Sequence, residues 1–465
     1  MNYYVGIDLG TSAVKLILAD ENGKTVNSVS KEYPIFFPQP GYSEQNPEDW
    51  WSAVSEGLEE LTSGVDKSLV KGVGCAGQMH GLVMLDENMN VLRPALLWND
   101  VRAGKQTDYL NKVISEERLR EYTGNIAFAG FTAPKLMWVK ENEPELFGKC
   151  RKICLPKDYI NYKLTGNLAT DVSDASGTLY FDVENRRWSK EMLDILGIDE
   201  SYLPAVYESA ETIGETNAAG LSAKVIAGAG DNAGAAAGTN TLTPGRCNIS
   251  LGTSGTVFIP SDKFILPQNS ALHSFCHVNG KYHLMGCILS AASCNKWLNE
   301  TVFDSGYDVS VSAPKKEDTL YFMPYMSGER CPHNDTSVKG AFIGLTHATS
   351  RSDMQRAVFE GVSFAIKDCI ELYPDKIDFA TVCGGGTKSR EWMQILADVL
   401  GIELGIIDNE GPSYGAALLA AGVAIEPGIK YTVKPNLNFS EIYDIKYSKF
   451  KQLYPIMQDF YKECL

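Results

Sequence analysis

The sequence has no uninterrupted apolar run of membrane-spanning length, which needs about 20 residues, and no segment of low complexity. It has no GxxxxGK[ST] loop, so any triphosphate site must be built another way. Histidine is scarce, at six in 465 residues, and no Cys/His cluster stands at zinc-finger spacing. Eleven cysteines are scattered, odd in number and without a CxxC pair; Cys150 and Cys154 are the nearest two. A disulfide framework is not expected, and reduced thiols in a cytoplasm fit this usage better. Residues 1–12 carry Asp8 and no basic stretch, and do not read as a signal peptide. Positive charge is also short: 42 Lys and Arg against 58 Asp and Glu give a net charge of −16. That argues against nucleic acid or an anionic membrane as the main partner. An acidic chain that binds a nucleotide must use local backbone N–H groups and a divalent cation instead of its overall field.

What is present is an ordinary globular composition, 44% hydrophobic and 22% charged, in a chain long enough for two cores. The opening predicts a strand over 3–7, a loop over 8–12, a strand over 14–19, a turn at Glu21-Asn22-Gly23 and a strand over 24–30. Asn46-Pro47-Glu48-Asp49 supplies a cap, a first-turn proline and first-turn acids for a helix through about residue 61. The pattern recurs halfway along: a strand over 246–250, the loop Leu251-Gly252-Thr253-Ser254-Gly255, and a strand over 256–260. The two loops share the string Leu-Gly-Thr-Ser about 240 residues apart, which predicts two related α/β domains. The second half continues with a helix over 353–372, a strand over 379–383 running into Gly384-Gly385-Gly386, and a helix ended by Gly401. Turn-like residues at 238–245 mark the boundary, giving domains 1–240 and 241–465.

The glycine loops are the first chemical candidates. Gly10-Thr11-Ser12 and Gly252-Thr253-Ser254 combine close backbone approach with hydroxyl donors, as phosphate oxygens require, and Lys15 is within reach of the first. For either loop alone a hairpin turn is the better reading; the two together with a third glycine turn favour phosphate binding. Gly385 and Gly386 could let a base and ribose lie against backbone. Asp8 ends a buried-looking strand, where a carboxylate either caps a turn or holds hydrated Mg²⁺ facing phosphates. Asp231 is the single charge in Ala227-Gly228-Ala229-Gly230-Asp231-Asn232-Ala233-Gly234. It either caps a helix or takes a proton from an attacking hydroxyl. Gly77-Gln78-Met79-His80-Gly81 follows a strand, and a lone His such as His80 is more often structural than a ligand. His273 and His277 form an i, i+4 pair that could bind metal. Trp50, Trp51 and Trp98 could stack on a sugar, with core packing the default.

Taken together these residues resemble the FGGY family of carbohydrate kinases, on the actin-like ATPase (ribonuclease H-like) fold. Residues 4–12 resemble its first phosphate loop, 250–255 its second and 383–387 its adenosine loop. Two longer signatures are more specific: residues 130–142, from Gly130-Phe131-Thr132 to Glu141-Asn142, and a second that starts at Gly340-Ala341-Phe342 and closes at Phe359-Glu360. Gly77 to Gly81, residues 95–100, Leu155-Pro156-Lys157-Asp158-Tyr159 and Ser327-Gly328-Glu329-Arg330 are most similar to the members that phosphorylate D-xylulose. Ala13, the run Ala227-Gly228-Ala229-Gly230 and Cys331 depart from common family residues without removing a chemical group, and the last thirty residues match the family weakly.

The resemblance implies two related domains flanking a deep cleft, a sugar site on the first and ATP on the second. It implies that Asp231 is the general base and that Met79, His80 and Asn232 contact sugar. It places Asp8 near Mg-ATP, with Thr11, Ser12, Lys15, Gly252, Thr253, Ser254, Gly385 and Gly386 around the nucleotide. The expected reaction is ATP- and Mg²⁺-dependent phosphorylation of D-xylulose to D-xylulose 5-phosphate, with a homodimer left open. Ribulose, gluconate, fuculose or glycerol are alternative acceptors. A sugar-independent ATPase switch and a sugar-binding regulator without catalysis are rival readings.

Overall fold

The computed structural model describes residues 1–267, 271–305, 308–311, 313–408 and 411–464. Tyr3–Leu9 (β1) and Ala13–Asp20 (β2) pair antiparallel, and Thr25–Glu32 (β3) adds beside β2. β1 runs two residues further than its apolar stretch predicts, because Asp8 stays in register with Lys15 on one side and Ala76 on the other. The helix Pro47–Leu61 (α1) begins where its cap predicts: the Asn46 side chain accepts from the Glu48 N–H. Its buried residues Trp50, Val54, Leu58 and Leu61 recur at helical spacing and pack on β2 and β3. Full burial of each such side chain is worth about 1.5–3 kcal/mol.

Val70–Gly77 (β4) lies parallel to β1. The helices Thr132–Asn142 (α2) and Pro156–Thr165 (α3) follow, then Thr212–Thr216 (β5), Ala223–Ile226 (β6), the short Ala229–Gly230 (β7) and the helix Asp231–Gly238 (α4). The first sheet runs β5-β6-β4-β1-β2-β3, with β7 against the end of β4.

A second sheet contains Arg246–Leu251 (β8), Gly255–Ser261 (β9), His273–Cys276 (β10) and Tyr282–Ile288 (β11). After the helix Arg351–Glu371 (α5) come Phe379–Cys383 (β12), Arg390–Leu400 (α6), Glu403–Ile407 (β13), Pro412–Ala421 (α7), Ile429–Val433 (β14) and Ser440–Cys464 (α8). Its order is β10-β11-β9-β8-β12-β13-β14. The run β3-β2-β1-β4-β6 and the run β11-β9-β8-β12-β13 match strand for strand. In each, the first strand has two antiparallel neighbours in succession on one side and two parallel ones on the other. The duplication suggested by two short strings is therefore a duplication of fold.

The equivalent helices α4 and α7 cross between the two sheets. A Cβ on Gly415 would lie 1.8 Å from the Gly234 carbonyl oxygen, so the two backbones touch. The second half's α7 also lies on β1 and β4 of the first sheet. The last helix, α8, closes the second core with Tyr443, Tyr447 and Phe450, and Lys446 Nζ reaches Glu360 at 2.5 Å. Among the described residues no helix is long and apolar enough to cross a membrane, and the ten described cysteines are free thiols.

Candidate active site

Gly230 is the N-cap of α4, and Asp231 is its first residue. The Asp231 Oδ1 accepts from the Asn232 N–H at 2.7 Å and from Asn232 Nδ2 at 2.9 Å. It does not cap the next turn, and Oδ2 has no hydrogen-bond partner among the described residues. This carboxylate lines two cavities. One, of about 190 Å³, includes Met79, His80, Trp98, Phe131, Asn232, Ser254 and Arg330. The other, of about 160 Å³, includes Asn248, Ser250 and Thr256. Burial raises the Asp231 carboxyl to about 6, against the lowering effect of the two Asn232 hydrogen bonds. Asp8 is also raised, to about 7, by burial and by the nearby Asp231 charge, while Lys15 pulls it down.

His80 sits at φ 70°, a left-handed conformation that needs support from its surroundings. Three contacts supply it. Nδ1 is 2.7 Å from the Gly177 carbonyl, the ring stacks on Phe131 at 4.4 Å, and Thr132 Oγ1 donates to the His80 carbonyl at 3.0 Å. A carbonyl only accepts, so Nδ1 carries the proton and Nε2 is left as an acceptor. Burial holds the ring neutral, with its titration lowered to about 3; Lys135 and Arg330 add to this. Met79 packs its sulfur beside Gly230, one residue before the candidate base.

The first glycine loop is tied to this segment. Gln45 Nε2 donates to the Thr11 carbonyl at 2.7 Å, while Gln45 Oε1 accepts from Gln78 Nε2 at 3.1 Å and from Trp50 Nε1 at 3.0 Å. Trp98 Nε1 donates to Thr11 Oγ1 at 2.9 Å. Core packing, the default for all three tryptophans, holds for Trp50 but not for Trp98, which is 43% exposed and lines the larger cavity. The signature at 130–142 explains its position. A Cβ on Gly130 would meet the Trp98 carbonyl at 2.2 Å, and the buried Lys135 donates to the Leu97 carbonyl at 2.8 Å. Lys15 lies in β2 opposite Asp8 and lines neither cavity.

In the second half, the Thr253 carbonyl accepts from the Ala291 N–H and Ser293 Oγ, and the Gly252 carbonyl from the Ala292 N–H. These bonds leave the Thr253 and Ser254 side chains exposed. β8 and β12 are parallel neighbours, so the turn at Gly385 and Gly386 lies beside the root of the second loop. A Cβ on Gly386 would meet Leu251 at 2.9 Å.

Beneath Asp231 lies a buried ionic cluster. Lys157 Nζ is 3.0 Å from Asp158, 3.2 Å from Asp171 and 3.9 Å from Asp174. It also donates to the Ala227 carbonyl at 3.1 Å. Ser173 Oγ bridges Asp171 at 2.6 Å and the Gly230 N–H at 3.1 Å, so the cluster fixes the backbone that carries Asp231. The pair His273 and His277 is not a metal site. On a strand, four residues span about 13 Å. His273 stacks on Phe275, and His277 bonds the Thr241 carbonyl.

A family model described as the FGGY family of carbohydrate kinases, N-terminal domain, matches residues 3–238, and the C-terminal domain model matches 247–424. A xylulose kinase from Klebsiella pneumoniae is 41% identical over 433 residues, covering 90% of this chain and 89% of that protein. The crystal structure of a "xyloylose kinase" from Brucella ovis has TM-score 0.93 and 38% identity, covering 99% of this chain and all (100%) of that one. A gluconate kinase from Lactobacillus acidophilus superposes with TM-score 0.92 at 25% identity over 100% of both chains.

Proposed function

The chain belongs to the FGGY family of carbohydrate kinases and is a sugar kinase with ATP as phosphate donor, and from that premise we propose that it phosphorylates D-xylulose at O5 with Asp231 as general base. The observation that carries the mechanism is that one carboxylate borders both cavities, so an acceptor hydroxyl on one side and a phosphoryl group on the other can meet at it. The acceptor is chosen by likeness to xylulose kinases, since the same fold also appears in a gluconate kinase.

In this reading residues 1–240 form the domain carrying the first phosphate loop and most of the sugar site, and 241–465 the domain that holds ATP. O5 attacks the γ-phosphorus in line, the bond to the β,γ-bridging oxygen breaks, and ADP leaves. The O5 proton passes to Asp231 Oδ2. A carboxylate raised to about 6 is a stronger base than an ordinary aspartate and is still ionised at neutral pH. His80 Nε2 accepts from a sugar hydroxyl, Asn232 Nδ2 donates to one, and Met79 walls the chain. Thr11, Ser12, Gly252, Thr253 and Ser254 supply donors to the phosphates, and Gly385 and Gly386 lie against the adenosine. Lys15 acts on the phosphates through its charge. The domains exclude water, which would otherwise accept the phosphoryl group.

The residues present fit a magnesium ion. Asp8 is a half-buried carboxylate destabilised by desolvation and by a second carboxylate, the setting that a cation relieves. Among the described residues no group of three metal-ligating side chains exists, so Mg²⁺ would rest on Asp8, water and phosphate oxygens, as it commonly does. When bound it supplies charge neutralisation on the phosphates. Reduced thiols and an ATP donor fit a cytoplasmic setting.

A panel of D-xylulose, ribulose, gluconate, fuculose and glycerol with Mg-ATP, read by ADP release, tests the reading. The expected result is the highest kcat/KM on D-xylulose. ADP release that ignores the sugar would point to an ATPase switch and overturn it.

A further inference from the structure

Among the described residues, Arg330 is the only cationic side chain lining the larger cavity. It comes from the second half of the chain. The other poorly exposed arginines are neutralised: Arg93 by Glu44 and Glu143, Arg102 by Asp100 and Glu44, Arg120 by Glu116, Arg186 by Glu208, and Arg356 by Asp318. Among the described residues, no carboxylate pairs with Arg330 and its guanidinium makes no hydrogen bond. A partly buried charge left this way is costly unless something else satisfies it.

The residue is nevertheless held in place. Its guanidinium lies 5.3 Å from the Phe128 ring. Its N–H donates to Glu329 Oε1 at 2.8 Å, and the same oxygen accepts from the Leu289 N–H at 2.9 Å. A chain of ring contacts runs on from it: Phe128 to His273 at 5.1 Å, His273 to Phe131 at 5.4 Å, and Phe131 to His80 at 4.4 Å. His273 Nδ1 is buried without a partner on this wall. Residues from both halves thus form one surface with an unspent donor, Arg330, and an acceptor, His80 Nε2.

The acceptor chemistry says what that donor meets. A 2-pentulose closed into a furanose uses O5 in the ring, so only the open chain offers O5 for phosphorylation. The open chain carries a free C2 carbonyl, whose oxygen accepts hydrogen bonds and cannot donate them. His80 Nε2 cannot serve it. Trp98 Nε1 is committed to Thr11, and Asn232 stands next to the base. We propose that Arg330 is a specificity-determining residue, which donates to the C2 carbonyl oxygen of the open-chain ketose and so ranks ketoses above polyols of the same skeleton. This rests on the ketose-kinase reading above. The sugar then touches residues of both halves of the chain.

The test compares D-xylulose with xylitol, whose C2 hydroxyl can turn and donate to another group, as acceptors for the wild type, Arg330→Met and Arg330→Lys. A charge-assisted hydrogen bond predicts that Arg330→Met lowers the xylulose-to-xylitol ratio of kcat/KM by about 10- to 100-fold. Arg330→Lys should recover part of that ratio. The dissociation constants of both sugars without ATP, read by tryptophan fluorescence, should show the same loss of discrimination. An equal loss on both acceptors would mean that Arg330 serves the phosphoryl group or the fold, and would overturn the proposal. So would an unchanged ratio. A wild type inactive on every 2-ketose would instead sink the acceptor reading, and this inference with it.

Discussion

Asp231→Asn should make the protein more stable as it makes it inactive. The amide oxygen can accept the same two hydrogen bonds from Asn232, so the local geometry is kept. What changes is the charge. A carboxyl raised to about 6 from an ordinary value near 3.8 pays about 3 kcal/mol to be ionised in the folded state. Water in the open cavity screens part of this, leaving roughly 1–3 kcal/mol of stabilisation for the variant at neutral pH. The sign follows from the raised folded value. The neutral acid's contribution is complete below the unfolded value near 4 and is lost as pH rises through about 6. Urea midpoints of wild type and variant should therefore coincide at pH 4, separate between pH 4 and 6, and stay apart by a constant amount above that. Turnover in the same variant should fall by about 10²–10⁴-fold, the worth of a positioned base. A variant with near-normal turnover would refute the base assignment. An inactive variant with no stability gain at pH 7 would refute the claim that burial sets its proton affinity.

The wild-type kcat/KM for the sugar should rise nearly tenfold per pH unit below about 6 and level off above it, because Asp231 must be ionised to take the proton; a flat profile between pH 5 and 7 would contradict this. Gly415→Val should cost more than about 3 kcal/mol or prevent folding, because its Cβ would sit 1.8 Å from the Gly234 carbonyl. Gly148→Ala, with nothing within 4 Å, is the tolerated control in the same denaturation series. Lys157→Met leaves Asp158, Asp171 and Asp174 without their ammonium and should cost about 3–5 kcal/mol at pH 7. Part of that should return as the pH falls and the carboxylates take up protons, which thermal melts at pH 5 and 8 would show.

The local elements were readable because their signals are local. Asn46 and Pro47 announce α1, Gly401 ends α6, and the Leu-Gly-Thr-Ser strings mark two equivalent hairpins. Asp231 stood out because a lone charge among alanines and glycines is costly wherever it lies. Trp98 was named only beside its default of core packing, and Arg330 only inside a motif of resemblance. A tryptophan is usually packed, and an arginine in a loop is usually solvated; what distinguishes these two is a partner far away in sequence, Thr11 for one and Phe128 for the other. His273 and His277 already weigh against a metal for want of a further ligand cluster, and the strand adds the reason: spacing that joins two side chains on a helix separates them there. The backbone contact between Gly234 and Gly415 was equally hidden. Each glycine looks like ordinary helix-weakening until the two helices are seen to cross.

A helix start should favour an ionised aspartate. The dipole at the first turn is worth about 0.3–1 kcal/mol to a negative charge, and Asp231 also accepts two hydrogen bonds. Its titration is nevertheless raised, so desolvation outweighs both. α4 is only eight residues long, and the residues around its start, Gly230, Ala233 and Gly234, offer no further polar group. The duplicated fold accounts for that setting. α4 must lie against α7 closely enough for backbones to touch, which demands small side chains along both helices. Among the described residues, small side chains leave the acid with no hydrogen-bond partner besides Asn232 to supplement the water of the cavity. The residues that let the two halves meet are therefore the same ones that keep the acid basic. Bulk introduced along that helix contact, even far from the sugar, should change the pH at which the base ionises as well as the stability of the fold.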